Sequence, residues 1–205
     1  MKPTVKNIIF DLGGIFLSLN YQLTKDAFIA LGVKDFDEHF TQHHANDLFE
    51  KLEKGQIAET EFYDELRAAT NLQASNDEIK TAWNAMLLGF IPEKIEWLKA
   101  IKQRYNVFLF SNTNQIHYDA FMDLYVRDIG TNDFNTHFIK AYYSQYMGLR
   151  KPYAASFLHI IHEQNLQVAE TLFIDDTEKN IVTANELGLQ TILLLPPKTV
   201  LDLEL

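Results

Sequence analysis

The stretch Asn7-Ile8-Ile9-Phe10-Asp11-Leu12-Gly13-Gly14 decides the fold of this chain. An apolar run of strand length ends here in a carboxylate, and two glycines follow within three positions. Such a run is typical of a buried strand, and a glycine pair is typical of a turn. The pattern therefore predicts a core strand that delivers Asp11 to a loop at the strand's carboxyl end.

Two more apolar runs end in polar residues in the same way. Val107–Phe110 leads into Ser111-Asn112, and Thr171–Ile174 leads into Asp175-Asp176. Two further strands are predicted at Phe138–Ser144 and Gln190–Leu195. Helices are predicted between them, at Glu93–Tyr105, Asn114–Leu124, Tyr153–Gln164 and Glu178–Leu187. This alternation predicts a parallel sheet with helices on both faces, whose strand ends meet at one ligand-binding edge.

The segment from about residue 21 to 87 has a different character. It is polar and helix-periodic, with apolar residues at helical spacing such as Leu48, Phe49 and Leu52. We expect a helical insertion that lies above the edge where the strands end.

Composition limits the possible partners. The formal net charge is −10, which disfavours non-specific nucleic-acid binding, so any phosphate site must be locally positive. No apolar run reaches the roughly 18 residues of a membrane span, and the N-terminus lacks a secretory signal pattern. With no cysteine, thiolate chemistry and disulfides are excluded. We expect a cytoplasmic protein without membrane or nucleic-acid partners; a monomer fits these features, and the oligomeric state is left open.

The polar strand ends suggest a particular chemistry. Asp11 and Asp175 would repel each other unless a cation lay between them, and Mg²⁺ prefers such oxygen ligands. Ser111 and Asn112 offer hydroxyl, amide and backbone groups to phosphate oxygens, and Lys151 could neutralise developing negative charge. Each feature alone is also typical of a turn, a helix cap or an exposed lysine. Their order along the chain favours a shared site.

Four motifs in this order resemble the haloacid dehalogenase-like hydrolase superfamily, over a core from Ile8 to about Leu194. The motifs are Ile9-Phe10-Asp11-Leu12-Gly13-Gly14, Leu109-Phe110-Ser111-Asn112-Thr113-Asn114, Gly148-Leu149-Arg150-Lys151-Pro152 and Phe173-Ile174-Asp175-Asp176. In the insertion, Glu53-Lys54-Gly55-Gln56-Ile57 resembles the bacterial branch that contains the α-D-glucose-1-phosphate phosphatases.

The resemblance implies an α/β fold. Residues 1–17 and 88–205 would form a Rossmann-like core with a parallel sheet and helices on both faces. Residues 18–87 would form a small α-helical cap that excludes water and sets specificity.

The resemblance also implies a reaction and its metal. Asp11 would attack phosphorus and form an aspartyl-phosphate. Mg²⁺ would be held by Asp11, the backbone carbonyl of Gly13 and Asp175, with Asp176 acting directly or through a water. The expected function is hydrolysis of a small phosphate monoester from a phosphorylated metabolite, a sugar phosphate being one candidate.

Other positions receive roles by the same resemblance. Ser111 and Asn112 would bind phosphoryl oxygens, and Lys151 would both bind substrate and act in catalysis by stabilising charge on Asp11 and the phosphate. Asn180 would support the site from behind Asp175. Two alternatives remain: a metal-independent haloacid dehalogenase, and a catalytically silent protein that binds phosphorylated metabolites.

Gly13 departs from the commoner pattern of the superfamily, which places a second aspartate there as general acid and base. Such a group contributes about 10²–10⁴ in rate. The branch resembled here also carries glycine at this position and contains active phosphatases. The departure therefore leaves the proton donor and the preferred leaving group open.

Several residues of the insertion and its surroundings have two interpretations. Gly55 is either a loop facing the site or the end of a helix. His39 and His43 could share a helix face and bind a metal, and either His43 or His44 could replace the missing acid, but a polar surface role is favoured for all three. The tyrosines Tyr142, Tyr143 and Tyr146 are interpreted as core or interface residues.

Overall fold

The computed structural model describes residues 4–34, 36 and 47–205. The strands are β1 (Asn7–Phe10), β2 (Leu17–Leu19), β3 (Leu87–Phe90), β4 (Asn106–Ser111), β5 (Lys140–Tyr143), β6 (Thr171–Asp175) and β7 (Gln190–Leu193). Five of them form a sheet in the order β5-β4-β1-β6-β7, in which every pairing is parallel. The predicted parallel sheet is confirmed, with β1 at its centre.

Nine α-helices are described in this part of the chain. They are α1 (Tyr21–Ala30), α2 (Asp47–Glu53), α3 (Glu59–Thr70), α4 (Asn76–Asn84), α5 (Pro92–Ile101), α6 (Gln115–Ile129), α7 (Ser144–Met147), α8 (Ala154–Glu163) and α9 (Glu178–Glu186). Local sequence explains where several begin. Pro92 occupies the first turn of α5, Asn114 caps α6 through its side-chain oxygen, and Ser75 forms a capping box with Glu78 at α4.

Both faces of the central strand are buried, because its side chains alternate between two apolar layers. Ile8 and Phe10 pack into a cluster with α5 and α6, whereas Ile9 packs with Phe108 and Phe173 against α8 and α9. Full burial of such side chains contributes about 1.5–3 kcal/mol each. Phe10 of β1 pairs with Leu109 of β4 and Ile174 of β6, and this register sets where Asp11 leaves the sheet.

A second, two-stranded sheet was not predicted. β2 and β3 pair antiparallel, with Leu17 opposite Phe90 and Ser18 opposite Gly89. The segment from 21 to 87 was expected to be almost without strands, but β3 begins at Leu87, the last residue of that segment. This pair lies where the chain enters and leaves the helical insertion, at the positions of the predicted boundaries 18 and 87. Those boundaries themselves stay a prediction.

Helices α1 to α4 share an aromatic core of their own. Phe28, Phe49 and Phe62 are buried there, and Trp83 of α4 lies 5.2 to 6.4 Å from their rings, measured between centroids. Ile116 of α6 belongs to the same cluster, so this layer packs onto the helix that follows β4. Within the described residues, no helix is long and apolar enough to cross a membrane.

Candidate active site

Three carboxylates meet at the carboxyl ends of β1 and β6. Asp11 directly follows β1, Asp175 is the last residue of β6, and Asp176 comes next. One carboxylate oxygen from each of them lies within 4.8 Å of the others. Asp11 and Asp175 are buried, and Asp176 is half-buried. The sequence prediction that the ends of these strands bring acidic groups together therefore describes the observed geometry.

Lys151 connects two of these carboxylates. Its Nζ atom lies 2.7 Å from Asp11 Oδ1 and 2.7 Å from Asp175 Oδ2. The side chain is only 2 % exposed. Burial opposes the charged form of this amine, but the two carboxylates outweigh burial and raise the pKa of Lys151 above its ordinary value. Lys151 is therefore a permanent cation beneath Asp11.

The crowding of carboxylates also changes the pKa of Asp11. Burial raises the pKa of Asp11 to about 7, Lys151 opposes this rise, and Asp175 and Asp176 add to it. Burial and Asp175 likewise raise the pKa of Asp176. One lysine cannot balance three carboxylates, so the site favours a further cation. The donors are oxygen atoms only, which suits a hard divalent ion such as Mg²⁺.

The orientation of Asp175 is held by residues of the segment that follows it, which leads into α9. Asn180 Nδ2 donates to both carboxylate oxygens of Asp175, at 3.1 and 3.0 Å, and the backbone amide of Thr177 donates to Oδ1 at 2.7 Å. These contacts fix the orientation of the carboxylate. Asn180 was expected to support the site, and this is where the structure places it.

Asn112 has a different contact from the one expected. Its Oδ1 accepts from the backbone amide of Lys151 at 2.9 Å, and its Nδ2 donates to the backbone carbonyl of Lys151 at 2.9 Å. The side-chain amide thus fixes the loop that carries the lysine, rather than pointing both of its groups at a ligand. Ser111 is buried at the end of β4, and its hydroxyl makes a long 3.5 Å contact with the Asn112 carbonyl.

The two glycines after Asp11 are tightly enclosed. A Cβ atom on Gly13 would lie 2.7 Å from Leu19 Cδ1, and one on Gly14 would lie 2.1 Å from Asp176 Oδ2. Gly14 also has φ +71°, which side-chain-bearing residues rarely adopt. These positions let the loop pass between β2 and the acidic cluster.

A pocket of about 500 Å³ opens above these groups. Its floor is formed near the ends of β1, β4 and β6, by Asp11, Gly13, Ser111, Asn112, Lys151, Asp176 and Asn180. Its walls come from the helical layer, the first turn of α6 and the loop before α8, and include Tyr21, Phe36, Phe49, Glu53, Trp83, Met86, His117, Arg150 and Tyr153. The wall is mixed: aromatic rings occur together with charged and hydroxyl groups. A small molecule with both apolar and polar parts fits such a wall.

His117 is a pocket residue that the sequence analysis missed. Its Nδ1 lies 3.2 Å from Asn114 Nδ2, and its Nε2 lies 3.1 Å from the Trp83 carbonyl oxygen. An amide nitrogen can only donate, so Nδ1 accepts and the proton resides on Nε2, which donates to Trp83. The rings of His117 and Trp83 stack at 4.9 Å. Burial lowers the pKa of His117 to about 4, so the ring is neutral near pH 7.

Lys94 is a second residue without a sequence prediction. It is 5 % exposed, and its Nζ donates to the Ile15 carbonyl at 2.7 Å. Burial lowers its pKa. The contact supports the turn that follows Asp11. Arg150 belongs to the third motif, but no pattern in the sequence indicates its ion pair with Glu53 of α2, at 2.7 Å between Nε and Oε2.

The structure also bears on the glycine and the tyrosines for which the sequence left two interpretations. Gly55 has φ +64° just after α2, and an added Cβ would lie 2.3 Å from the Gln145 carbonyl oxygen, so it ends a helix and packs on α7. Of the three tyrosines, Tyr142 and Tyr143 are buried, Tyr146 is exposed, and none lines the described pocket. The histidines of the insertion lie outside the described residues: His39, His43 and His44.

The family can be stated from comparison with known proteins. The family model for haloacid dehalogenase-like hydrolases matches residues 5–188. The chain belongs to the haloacid dehalogenase-like hydrolase family, as its four motifs suggested, and it is a hydrolase of that family.

One characterised relative and two solved structures are similar to this chain over most of its length. A D-ribitol-5-phosphate phosphatase from Bacteroides thetaiotaomicron is 31 % identical over 191 residues, covering 91 % of this chain and 90 % of the relative. A solved enzyme of the family from the same species, an aspartate-to-alanine variant in complex with magnesium and inorganic phosphate, has a TM-score of 0.85 and 30 % identity, covering 95 % and 96 % of the two chains. The solved structure of a protein from Porphyromonas gingivalis, described as a predicted haloacid dehalogenase-like hydrolase, has a TM-score of 0.82 and 34 % identity. The match covers 93 % of this chain and 91 % of that protein.

Proposed function

We propose that the chain is a Mg²⁺-dependent phosphatase that hydrolyses a small phosphate monoester through an aspartyl-phosphate on Asp11. The contact of Lys151 with both Asp11 and Asp175 carries this proposal. It places a permanent cation under the carboxylate that would attack phosphorus, at the floor of an open pocket. The phosphatase relative and the solved magnesium and phosphate complex of the family support the same reaction.

The metal would be held by Asp11, the backbone carbonyl of Gly13 and Asp175, with Asp176 acting directly or through a water. The fit rests on the three carboxylates, whose oxygens lie within 4.8 Å of one another and exceed the positive charge of Lys151. When bound, Mg²⁺ supplies positive charge that offsets these carboxylates and the phosphate, which lowers the barrier to anionic attack.

In the first step, a carboxylate oxygen of Asp11 forms a bond to phosphorus while the bond from phosphorus to the alcohol oxygen breaks. Lys151 stabilises the charge that develops on the phosphoryl oxygens, and its position is fixed through the side chain of Asn112. In this proposal, the Ser111 hydroxyl at the end of β4 donates to a phosphoryl oxygen. The alcohol leaves with a proton that Gly13 cannot supply.

In the second step, a water oxygen forms a bond to phosphorus while the bond from phosphorus to the Asp11 oxygen breaks, which releases inorganic phosphate and the free carboxylate of Asp11. Without a carboxyl group at position 13, the proton for the leaving alcohol comes from water or from a pocket group, and the proton lost by the attacking water goes to solvent, to the phosphate or to a pocket group. This favours alcohols that leave readily, since general acid help is worth about 10²–10⁴ in rate.

The substrate proposed is a small phosphorylated metabolite with a polar organic part. The pocket of about 500 Å³ holds a molecule of that size, and its wall offers charged and hydroxyl groups besides aromatic rings. Polyol and sugar phosphates satisfy both conditions, and the bacterial relative is named for D-ribitol 5-phosphate.

The test is phosphate release from a panel of polyol phosphates, sugar phosphates that include α-D-glucose 1-phosphate, and p-nitrophenyl phosphate. Each is assayed with Mg²⁺ and with EDTA. We expect turnover that needs the metal and is lost in Asp11→Asn, whose fold is checked by circular dichroism. Absence of release from every ester by the folded wild-type protein would contradict the proposal. Halide release from 2-haloacids that persists in EDTA would support the dehalogenase alternative instead.

A further inference from the structure

Glu53 and Arg150 face each other across the pocket wall. Glu53 is the last residue of α2, and Arg150 belongs to the loop before α8. Arg150 Nε lies 2.7 Å from Glu53 Oε2, and both residues line the pocket above Asp11. The pair therefore joins the helical layer to the loop of Lys151 at the surface that a bound substrate would touch.

Glu50, one turn earlier on α2, is already well paired. Its carboxylate lies 2.6 Å from Lys54 Nζ and 3.4 Å from Arg150 Nη1, and it accepts from the Tyr153 hydroxyl at 3.1 Å. The hydrogen bond to Lys54 leads a set of contacts that lower the pKa of Glu50. A carboxylate with these partners has little remaining capacity for a ligand.

Glu53 is in a different situation. Arg150 is the ion-pair partner that the described part of the chain gives to this carboxylate. Burial raises the pKa of Glu53 even though Arg150 opposes the rise, so the carboxylate has lost water without full compensation. Glu53 Oε2 and Arg150 Nε are both buried, and despite their short distance they lack a well-aligned hydrogen bond between the described groups. The two side chains keep exposed fractions of 25 % for Glu53 and 16 % for Arg150, and these exposed parts are available for further hydrogen bonds at the pocket.

The location of the pair sets which part of a substrate it can reach. Arg150 is the residue immediately before Lys151, whose amine contacts Asp11. Asp11, Lys151, Glu53 and Arg150 line the same pocket, so the organic part of a phosphate ester bound above Asp11 would come within reach of the pair. Other parts of the wall are aromatic, with Phe49 and Trp83 stacked at 5.2 Å between ring centroids.

We propose that Glu53 and Arg150 determine specificity by binding hydroxyl groups on the organic part of the substrate. A carboxylate accepts hydrogen bonds from hydroxyl protons, and a guanidinium donates to hydroxyl oxygens, so adjacent hydroxyls satisfy both groups. A purely apolar ester covers the pair without satisfying it, and this is unfavourable. The substrate class is thus a phosphate ester of a polyhydroxylated carbon chain. This inference rests on the proposed phosphatase function.

The experiment compares D-ribitol 5-phosphate with n-pentyl phosphate, which has as many carbons but no free hydroxyls. Values of kcat/KM are measured for the wild-type protein, Glu53→Gln and the control Glu59→Gln. Glu59 also forms an ion pair between helices of the same layer, with Lys80 at 3.3 Å, but lies outside the pocket. Circular dichroism and thermal melting confirm that each variant is folded.

We expect the wild-type protein to prefer the pentitol ester. Glu53→Gln should lower kcat/KM for that ester by about 10- to 100-fold, the range for hydrogen bonds to charged groups, and for n-pentyl phosphate by less than about threefold. Glu59→Gln should leave both values unchanged. An equal loss for both esters would mean that the pair only holds the helical layer in place, and no loss for either would mean that it does not touch the substrate. Either result overturns the inference.

Binding separates this inference from the proposed function. The affinity of D-ribitol 5-phosphate for Asp11→Asn and for the double variant Asp11→Asn/Glu53→Gln is measured by calorimetry, which needs no turnover. A tenfold or greater loss of affinity in the double variant supports the role of Glu53 even if no ester is hydrolysed. Equal affinities overturn that role even if the wild-type protein proves to be a phosphatase.

Discussion

Replacement of His117 by glutamine should remove one source of acid sensitivity from the folded state. Burial lowers the pKa of His117 from 6.5 to about 4, although the bond to the Trp83 carbonyl partly opposes this. Glutamine keeps a side-chain amide donor for that carbonyl but cannot be protonated. The substitution therefore isolates the ionisation of this ring from most of its contacts.

The sign follows from proton binding. Below pH 6.5 the unfolded chain binds a proton at His117, whereas the folded chain stays neutral until about pH 4. The unfolded state thus gains protons first, and the wild-type protein loses stability as the pH falls through this window. At 1.36 kcal/mol for each pKa unit, the loss attributable to this one residue is roughly 3 kcal/mol between pH 7 and pH 4.

The assay is urea unfolding of the wild-type protein and of the His117→Gln variant, followed by circular dichroism, at several values between about pH 7 and pH 4. The carboxylates titrate in both proteins, so their contribution cancels in the difference between the two free energies of unfolding. That difference should shift in favour of the variant by roughly 3 kcal/mol across the window. A difference that stays constant within about 0.5 kcal/mol would refute the assignment of a buried, neutral His117.

Three further substitutions test other parts of the site. Gly14→Ala would bring a Cβ within 2.1 Å of Asp176 Oδ2 at a φ of +71°, so activation of phosphate release by Mg²⁺ should need at least about tenfold more metal in a titration. Unchanged metal dependence would contradict this. Lys94→Met leaves the Ile15 carbonyl without its donor and should lower the free energy of unfolding by about 1–3 kcal/mol in urea; a variant as stable as the wild-type protein would show that this contact contributes nothing. Lys151→Met removes the cation between two carboxylates and should lower kcat/KM by at least about 100-fold, whereas a loss below tenfold would argue against its role in stabilising charge.

The sequence predicts the parts of this site that depend on strand direction. Asp11 and Asp175 each follow or end an apolar run, and parallel strands bring such ends to one edge. The continuous apolar run of β1 is typical of a parallel strand that is buried on both faces, as this strand is in the structure. The adjacency of these carboxylates and the five-stranded parallel sheet could therefore be predicted without coordinates.

The parts that escaped prediction depend on contacts between distant segments. β2 and β3 are three and four residues long, too short for a periodic signal, and they pair across most of the helical insertion. The Asn112 side chain has a motif position typical of ligand binding, but its partner is the backbone of Lys151. Only the packed structure decides which of several polar groups a side-chain amide will meet.

The side-chain contacts of the pocket wall could not be predicted from the sequence either, because they too join distant segments. His117 follows the cap residue Asn114 by three positions, which is visible in the sequence, but its contact with Trp83 requires α4 to lie against α6. The ion pair of Glu53 with Arg150 likewise depends on how α2 packs on the core. Side chains that meet across separately packed layers leave no periodic pattern in either segment.

The close approach of Leu19 to Gly13 has a consequence for how this chain could change over generations. An aspartate at position 13 would supply the absent acid, but its Cβ would meet Leu19 Cδ1 at 2.7 Å. Nothing in the backbone forbids the exchange, since Gly13 has no left-handed φ; the obstacle is one methyl group on β2. Because this methyl group is the end of a flexible side chain, a change of the Leu19 rotamer would make room for the aspartate. Position 13 could therefore gain a carboxyl group of its own by one substitution and the repacking of a single side chain on β2.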